Sequence, residues 1–389
     1  MLQGKRTLSL VGAGSILILT GLLLWFGTNI TKPGGPLNAE TKILFLGDTS
    51  FGENYQDRLE EQGKGNVLKE EGYEYLFQNF ADILTDASFT IANLETPITD
   101  LEESPFVGKK TYIHYTNIDK APYHLSKYGF DLVSLANNHS LDYGDAGLTQ
   151  TLSLLDKKSI ETCGAGKNKE EADKVFRRTF TVENNTFEVA LICVFEYMKS
   201  YDTTYHFYAE EDVPGVALLS VPDITLQIKE IKEESPNTFV VIFPHWGENY
   251  SFSSENQKKD ARALLDAGAD LVIGHGAHMF QEIEEYKGKW IVYNIGNFVF
   301  PSPGRYEETG AHPYGFIAEL ILSEGTAEIA RSLRLYPIFT DNLASDYQGR
   351  FVTEKEFQDA SRIIRERFAG EVKFEEGESV YGKYFEIRL

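Results

Sequence analysis

The 389-residue chain is 42% hydrophobic and 25% charged, a balance that builds a large core and excludes general disorder. Its 59 acidic against 37 basic residues leave a net charge of −22, which repels nucleic acid and anionic membrane surfaces. Two cysteines exclude a disulfide scaffold, though one bond outside the cell is compatible with them.

Lys5 and Arg6 precede Leu8–Phe26, an uncharged apolar run long enough to span a bilayer as a helix. The basic flank places the N-terminus in the cytoplasm. The expected organisation is a cytoplasmic tail (1–7), a transmembrane anchor (8–27), a Pro/Gly-bearing linker (28–40) and one composite domain (41–389). That is a single-pass cell-membrane protein with its body outside. A cleaved signal peptide is the competing reading, but the run is long for one and no small-x-small pattern follows Trp25.

The body alternates strand-like and helical stretches. Lys42–Gly47 leads into Asp48, and Glu74–Thr85 spaces apolar residues as a helix does. Phe89–Asn93 leads to Glu95, followed by a loop from Thr96 to Asp119 of substrate-contacting length. Asp131–Ala136 delivers Asn137, Asn138 and His139. The next helix, Asp145–Asp156, opens with an acid able to cap it. Glu188–Phe195 reads as a buried strand and Ile224–Glu234 as a helix. Phe239–Pro244 delivers His245, Glu255–Ala267 is helical, and Asp270–Gly274 delivers His275 and His278. From Trp290 the pattern turns to hairpin-spaced strands (Trp290–Asn294, Phe316–Leu322, Ala327–Leu335), predicting a second, partly antiparallel sheet. A helix at Glu354–Phe368 and a terminal strand at Tyr381–Leu389 close the chain. The class is α/β.

Short apolar runs without polar alternation are strands buried on both faces, and parallel sheets bind ligands beyond the strands' carboxyl ends. One edge of the fold is thereby expected to gather Asp48, Glu95, Asn138, His139, His245, His275 and His278. Any of these alone is an ordinary cap, turn residue or structural histidine. Together they suit one or two divalent ions of manganese, zinc or iron rather than calcium or magnesium. His139 is the candidate proton donor, and Glu95, central in ligand order, the natural bridge. Flanking loops offer Lys110, Glu248, Tyr250, Asn297 and Arg305 to a substrate, with Lys109 and His312 nearby.

The strings LGDTSFG (46–52), ANLETPIT (92–99), LANNHSLDYGDAGL (135–148), PHWGENY (244–250), GHGAHMFQ (274–281) and YNIGNFVF (293–300) resemble the CapA/PgsA family of poly-γ-glutamate capsule proteins. That resemblance implies a four-layer α/β/β/α sandwich similar to calcineurin-like metallophosphoesterases. It also implies a role in making or exporting poly-γ-glutamate or another anionic polymer alongside membrane synthase or export subunits. Matched by motif, Asp48, Glu95, Asn138, His245, His275 and His278 become metal ligands, and His139 the proton donor. Two departures stand out: Ser50 occupies the place of a phosphoesterase histidine, and Glu95 that of a bridging aspartate. A metal-dependent hydrolase of phosphoesters or amides is the alternative function.

Overall fold

The computed structural model describes residues 40–183, 185–325, 329–368 and 374–389. The expected cytoplasmic tail, anchor and nearly all of the linker lie outside the described residues. Among the described residues no helix is long and apolar enough to cross a membrane.

Two mixed sheets form the body. The strands are β1 (Glu40–Thr49), β2 (Phe89–Leu94), β3 (Leu132–Ser134), β4 (Glu161–Cys163), β5 (Phe176–Val182), β6 (Asn185–Phe195) and β7 (Phe239–His245). After them come β8 (Leu271–Ile273), β9 (Ile283–Tyr286), β10 (Lys289–Val292), β11 (Tyr314–Glu324), β12 (Ile329–Phe339), β13 (Glu375–Ser379) and β14 (Gly382–Arg388). The first sheet runs β13-β14-β12-β11-β1-β2-β3-β4, and the second β9-β10-β8-β7-β6-β5. Within each, the strands that deliver the candidate ligands are parallel: β1 with β2, β2 with β3, β7 with β8. Every residue of β2, β3, β7 and β8 is buried, which is why these runs show no polar alternation.

Alternation along the strands separates two cores. Phe45 of β1 meets Phe243 of β7, with ring centroids 5.8 Å apart, and Phe89 of β2 packs on Phe176 and Phe180 of β5. These rings glue sheet to sheet, each contributing roughly 1.5–3 kcal/mol of burial. The intervening residues of the second sheet, Ala190, Ile192, Val240, Ile242 and Val272, face Ile224, Ile228 and Ile231 of helix Val221–Glu234 and Ala261, Leu264 and Leu265 of helix Glu255–Ala267. Helices Ala81–Asp86, Lys120–Lys127, Gly144–Asp156 and Glu354–Arg367 add their apolar residues to the core of the first sheet. The body is thus a mixed α/β fold in which helices pack on both sheets.

Three local expectations need correction. The C-terminal hairpin of β11 and β12 does not start a second sheet but extends the first, β11 pairing antiparallel with β1 from Glu40↔Ser323 to Leu46↔Ile317. The stretch read as one helix from Glu74 is a 3₁₀ segment, Tyr73–Phe80, followed by the short helix Ala81–Asp86. Asp145 sits in the first turn of its helix, where its charge favours the helix dipole, and makes no side-chain cap.

Cys163 at the end of β4 and Cys193 in β6 form a disulfide, Cα–Cα 5.8 Å, that ties one sheet to the other.

His312 lies against Phe280 (centroids 4.1 Å), Phe252 and Tyr314, away from the substrate role its loop position suggests. Burial holds its pKa down to about 4. Above pH 6.5 the ring is neutral folded and unfolded; between 6.5 and 4 only the unfolded chain takes the proton, so acid removes stability. The expected loss is at most about 1.4 kcal/mol per pH unit in that window. His312→Phe should be spared it, with melting temperature followed from pH 7 to 4; parallel curves for variant and wild type would refute this.

Candidate metal centre

The strand ends converge as the sequence predicts. The Asp48 carboxylate, wholly buried near the end of β1, accepts from Asn93 Nδ2 at 2.9 Å and from the Gly276 amide at 3.1 Å. His275 Nδ1 and His245 Nδ1 lie 3.5 and 3.9 Å from its Oδ1, and His278 Nδ1 lies 3.4 Å from its Oδ2. Among the described residues three three-residue groups have ligand atoms mutually within 4.8 Å: His114 with His139 and Asp142, and two built on Asp48, one with His245 and His275 and the other with Glu95 and His278. Asp48 is common to the last two groups, and Glu95 belongs to one of them.

Backbone geometry makes the convergence possible. Gly276 sits at φ 109°, and a β-carbon there would come within 3.1 Å of three atoms of the His245 ring. Only glycine lets the His275–His278 loop close over His245. On the other side, Asn137 donates to Asn93 Oδ1 (3.0 Å) and to the Leu94 carbonyl (2.9 Å), pinning its loop to β2. Asn138 is left with its Oδ1 buried and without a hydrogen-bond partner.

Asn138 Oδ1 has company. Both carboxylate oxygens of Glu95 and Nε2 of His275 are also buried and unpartnered. Four such atoms on three expected ligands are costly in an interior unless a cation meets them, since an unpaired buried charge costs several kcal/mol. The donor set of carboxylates, imidazoles and one carboxamide fits a divalent transition metal.

Electrostatics divides the carboxylates. Burial pushes the Asp48 pKa up, but hydrogen bonds from His275 and His278 and the charge of nearby imidazoles outweigh it and leave it lowered. Glu95 has too little such help: burial, and then the Asp48 charge, raise it well above the ordinary range against the opposing charges of His278 and Lys110. His278 resists the same desolvation because Glu95 and Asp48 face it, and is raised to about 9. Burial depresses His245 and His275, which favours the neutral ring that binds metal.

Beside this cluster lies a second one that sequence reasoning missed in part. His139 Nδ1 is 2.6 Å from Asp142 Oδ2, and its Nε2 is 3.9 Å from Glu95 Oε1. The His114 ring stacks flat on His139 with centroids 3.6 Å apart, and its Nδ1 lies 3.1 Å from the Glu95 carbonyl. Tyr55 reaches the other His114 nitrogen at 3.0 Å. Lys110, expected at the substrate, is instead buried: its ammonium pairs with Asp142, touches the Asn138 carbonyl and lies 3.2 Å from His139 Nδ1. It supplies the positive charge in a pocket that would otherwise hold Asp142 alone, and it lowers the pKa of His139 after burial does. Asp142 was legible as the acid three residues after His139. His114 carries no local signal beyond its place in the 96–119 loop.

Of the other expected substrate residues, Asn297, Tyr250 and Arg305 gather about His278. Asn297 is buried, accepting from His278 Nδ1 at 2.8 Å and donating to the Tyr306 hydroxyl at 3.2 Å, so it orients an imidazole. Tyr250 places its ring 5.6 Å from that of His278, and Arg305 lies over Tyr250 at 5.3 Å. Glu248 is exposed on the loop between His245 and Tyr250. Ser50 uses its hydroxyl to accept from the Gly52 amide at 3.2 Å, a turn bond.

This is an α/β body whose parallel strand ends gather carboxylates and imidazoles in groups that could hold a metal ion. The family model described as bacterial capsule synthesis protein PGA_cap matches residues 42–302, and the chain belongs to that family. It is 30% identical over 258 residues to the PGA biosynthesis protein CapA of Bacillus subtilis, covering 66% of this chain and 62% of that one. It is 27% identical over 267 residues to the capsule biosynthesis protein CapA of Bacillus anthracis (68% and 60%). A probable polyglutamine synthesis accessory protein of Mycobacterium tuberculosis is 31% identical over 246 residues (61% and 61%). The chain thus spans about three fifths of the length of the curated relatives it matches.

Proposed function

We propose that this chain serves the synthesis or export of poly-γ-glutamate or a related anionic polymer, working outside the cell membrane beside synthase or export subunits. Leu8–Phe26 is the proposed anchor, and the Cys163–Cys193 bond suits an oxidising location. The reading rests on membership of the capsule family together with one observation, the buried unpartnered atoms of Glu95, Asn138 and His275. Asp48, Glu95, Asn138, His245, His275 and His278 would hold the divalent metal, two ions of manganese, zinc or iron being proposed. Such ions supply Lewis-acid polarisation of a bound carbonyl or phosphoryl oxygen. Helices packed on both sheets support a four-layer α/β/β/α body of the metallophosphoesterase type.

One observation favours the hydrolase reading as the activity within that role. Asp142 fixes the His139 tautomer by accepting from Nδ1, leaving Nε2 to face Glu95 and the cleft. A histidine so held presents an unprotonated Nε2, which can take a proton from an attacking water and pass it on to a leaving oxygen or nitrogen.

The test uses the purified full chain with manganese or zinc, followed by elemental analysis and by turnover of γ-glutamyl amides and phosphodiesters. His139→Gln should keep the metal and lower turnover by 10²-fold or more. Metal retained without turnover by wild type leaves polymer handling and removes hydrolysis. Loss of surface polymer on deletion, restored by wild type but not by Asp48→Asn, is expected for the capsule role; unchanged polymer on deletion would remove it.

A further inference from the structure

Arg305 differs from the ion-paired arginines of this acidic chain. Arg177 pairs with Glu188 and Glu234, Arg178 with Glu161, and Arg362 with Asp359 and Glu366. Arg305 is exposed and has no ion pair among the described residues, in a chain of net charge −22. Its guanidinium lies over the Tyr250 ring at 5.3 Å, and that ring lies 5.6 Å from the His278 imidazole.

The platform beneath it is built rather than incidental. Tyr250 and His278 both hold left-handed backbone, φ 58° and 61°, a strain that clusters at functional sites. The Tyr250 amide donates to the Ala277 carbonyl at 2.8 Å, locking its loop to the His275–His278 segment. Tyr306, next to Arg305, closes edge-on against Tyr250 (5.1 Å) and donates its hydroxyl to the His278 carbonyl at 2.8 Å. The Arg305 backbone is thereby tied to the metal centre through two rings.

We propose that Arg305, stacked on Tyr250, is a carboxylate subsite at the mouth of the centre. It would take a free α-carboxylate of a γ-linked glutamate chain whose neighbouring unit lies at the Asp48–His278 cluster. Stacking on tyrosine leaves the planar edge of the guanidinium outward, and that fork matches a carboxylate with two parallel hydrogen bonds. The subsite also answers how an anionic domain holds a polyanion: by a local cation beside the metal centre instead of its overall field. This inference rests on the polymer reading above.

The test is titration calorimetry on the metal-loaded full chain with a γ-linked glutamate oligomer. Arg305→Ala should weaken binding roughly ten-fold, with unchanged metal content and melting temperature, and Arg305→Lys should recover part of the loss. An oligomer with its α-carboxylates converted to amides should bind wild type and Arg305→Ala alike. Equal oligomer affinity for wild type and Arg305→Ala overturns the subsite alone. Metal-loaded wild type that binds no γ-linked oligomer overturns the polymer reading and the subsite with it. A ten-fold loss for inorganic phosphate as well overturns the carboxylate assignment in favour of anions in general.

Discussion

Glu95→Gln is expected to abolish metal binding at the Asp48–Glu95–His278 group and yet leave the metal-free protein more stable than metal-free wild type. Both Glu95 oxygens are buried with no donor, Asp48 adds a like charge, and the closest side-chain nitrogen of His139 is 3.9 Å away. Uncompensated buried charge costs on the order of 3–5 kcal/mol, and a bound cation offsets it. Chelation should therefore lower the melting temperature of wild type sharply, while Glu95→Gln, which keeps the shape and loses the charge, should respond less, losing only what the Asp48–His245–His275 group holds. Melting with and without chelator, alongside elemental analysis, decides the matter. Wild type that melts identically with and without chelator would show that the orphaned carboxylate is tolerated for some reason other than metal.

Much of this site could be read before any coordinates because its ligands sit where a physical rule puts them. Asp48 and His245 lie in the last residues of buried strands and Glu95 and His275 just beyond theirs, and such strands announce themselves by unbroken apolar runs. Helix Glu255–Ala267 is legible to the residue because Ser254 and Gln257 form a capping box at its start and Gly268 ends it. Pairing partners are another matter. Nothing in β11 or β12 says that they extend the first sheet beside β1, since register is set between segments some 280 residues apart.

The same distinction divides the site itself. Motif residues lie within a few positions of a strand end, so chain order predicts their meeting. The Lys110–Asp142–His139–His114 cluster depends on the 96–119 loop folding back over the Asn138 turn, with the His114 amide donating to Asp142 Oδ2 at 2.6 Å. A lysine on a loop reads as a surface charge, and only tertiary packing shows that it is enclosed. Asp48 as the shared carboxylate has the same origin: its reach to His278 depends on the closure of the Gly276 turn.

Breaking the Cys163–Cys193 bond is expected to cost stability and metal affinity together. In the chain-entropy account, a link across a separation of 30 residues contributes about 3–4 kcal/mol by restricting the unfolded chain. Its position couples that constraint to the centre. On one side the Leu135 amide donates to the Cys163 carbonyl at 2.9 Å, just before the Asn137–His139 turn. On the other, β6 continues from Cys193 to Phe195, whose ring meets that of His245 at 5.6 Å, and the Glu196 amide donates to the His245 carbonyl at 3.0 Å. Gly164, at φ 75°, allows the close approach, since a β-carbon there would lie 2.5 Å from the Ala136 β-carbon and 2.8 Å from the Cys193 carbonyl oxygen. One sheet delivers Asp48, Glu95 and Asn138 and the other His245, His275 and His278, so the bond spans the two halves of the ligand set. The double variant Cys163→Ala/Cys193→Ala should melt lower by an amount matching that free energy and bind manganese or zinc more weakly than wild type, whereas reduced wild type should reproduce both losses without any change of side-chain volume. Unchanged metal affinity in a destabilised variant would confine the bond to folding; unchanged melting would remove it as a staple between the sheets.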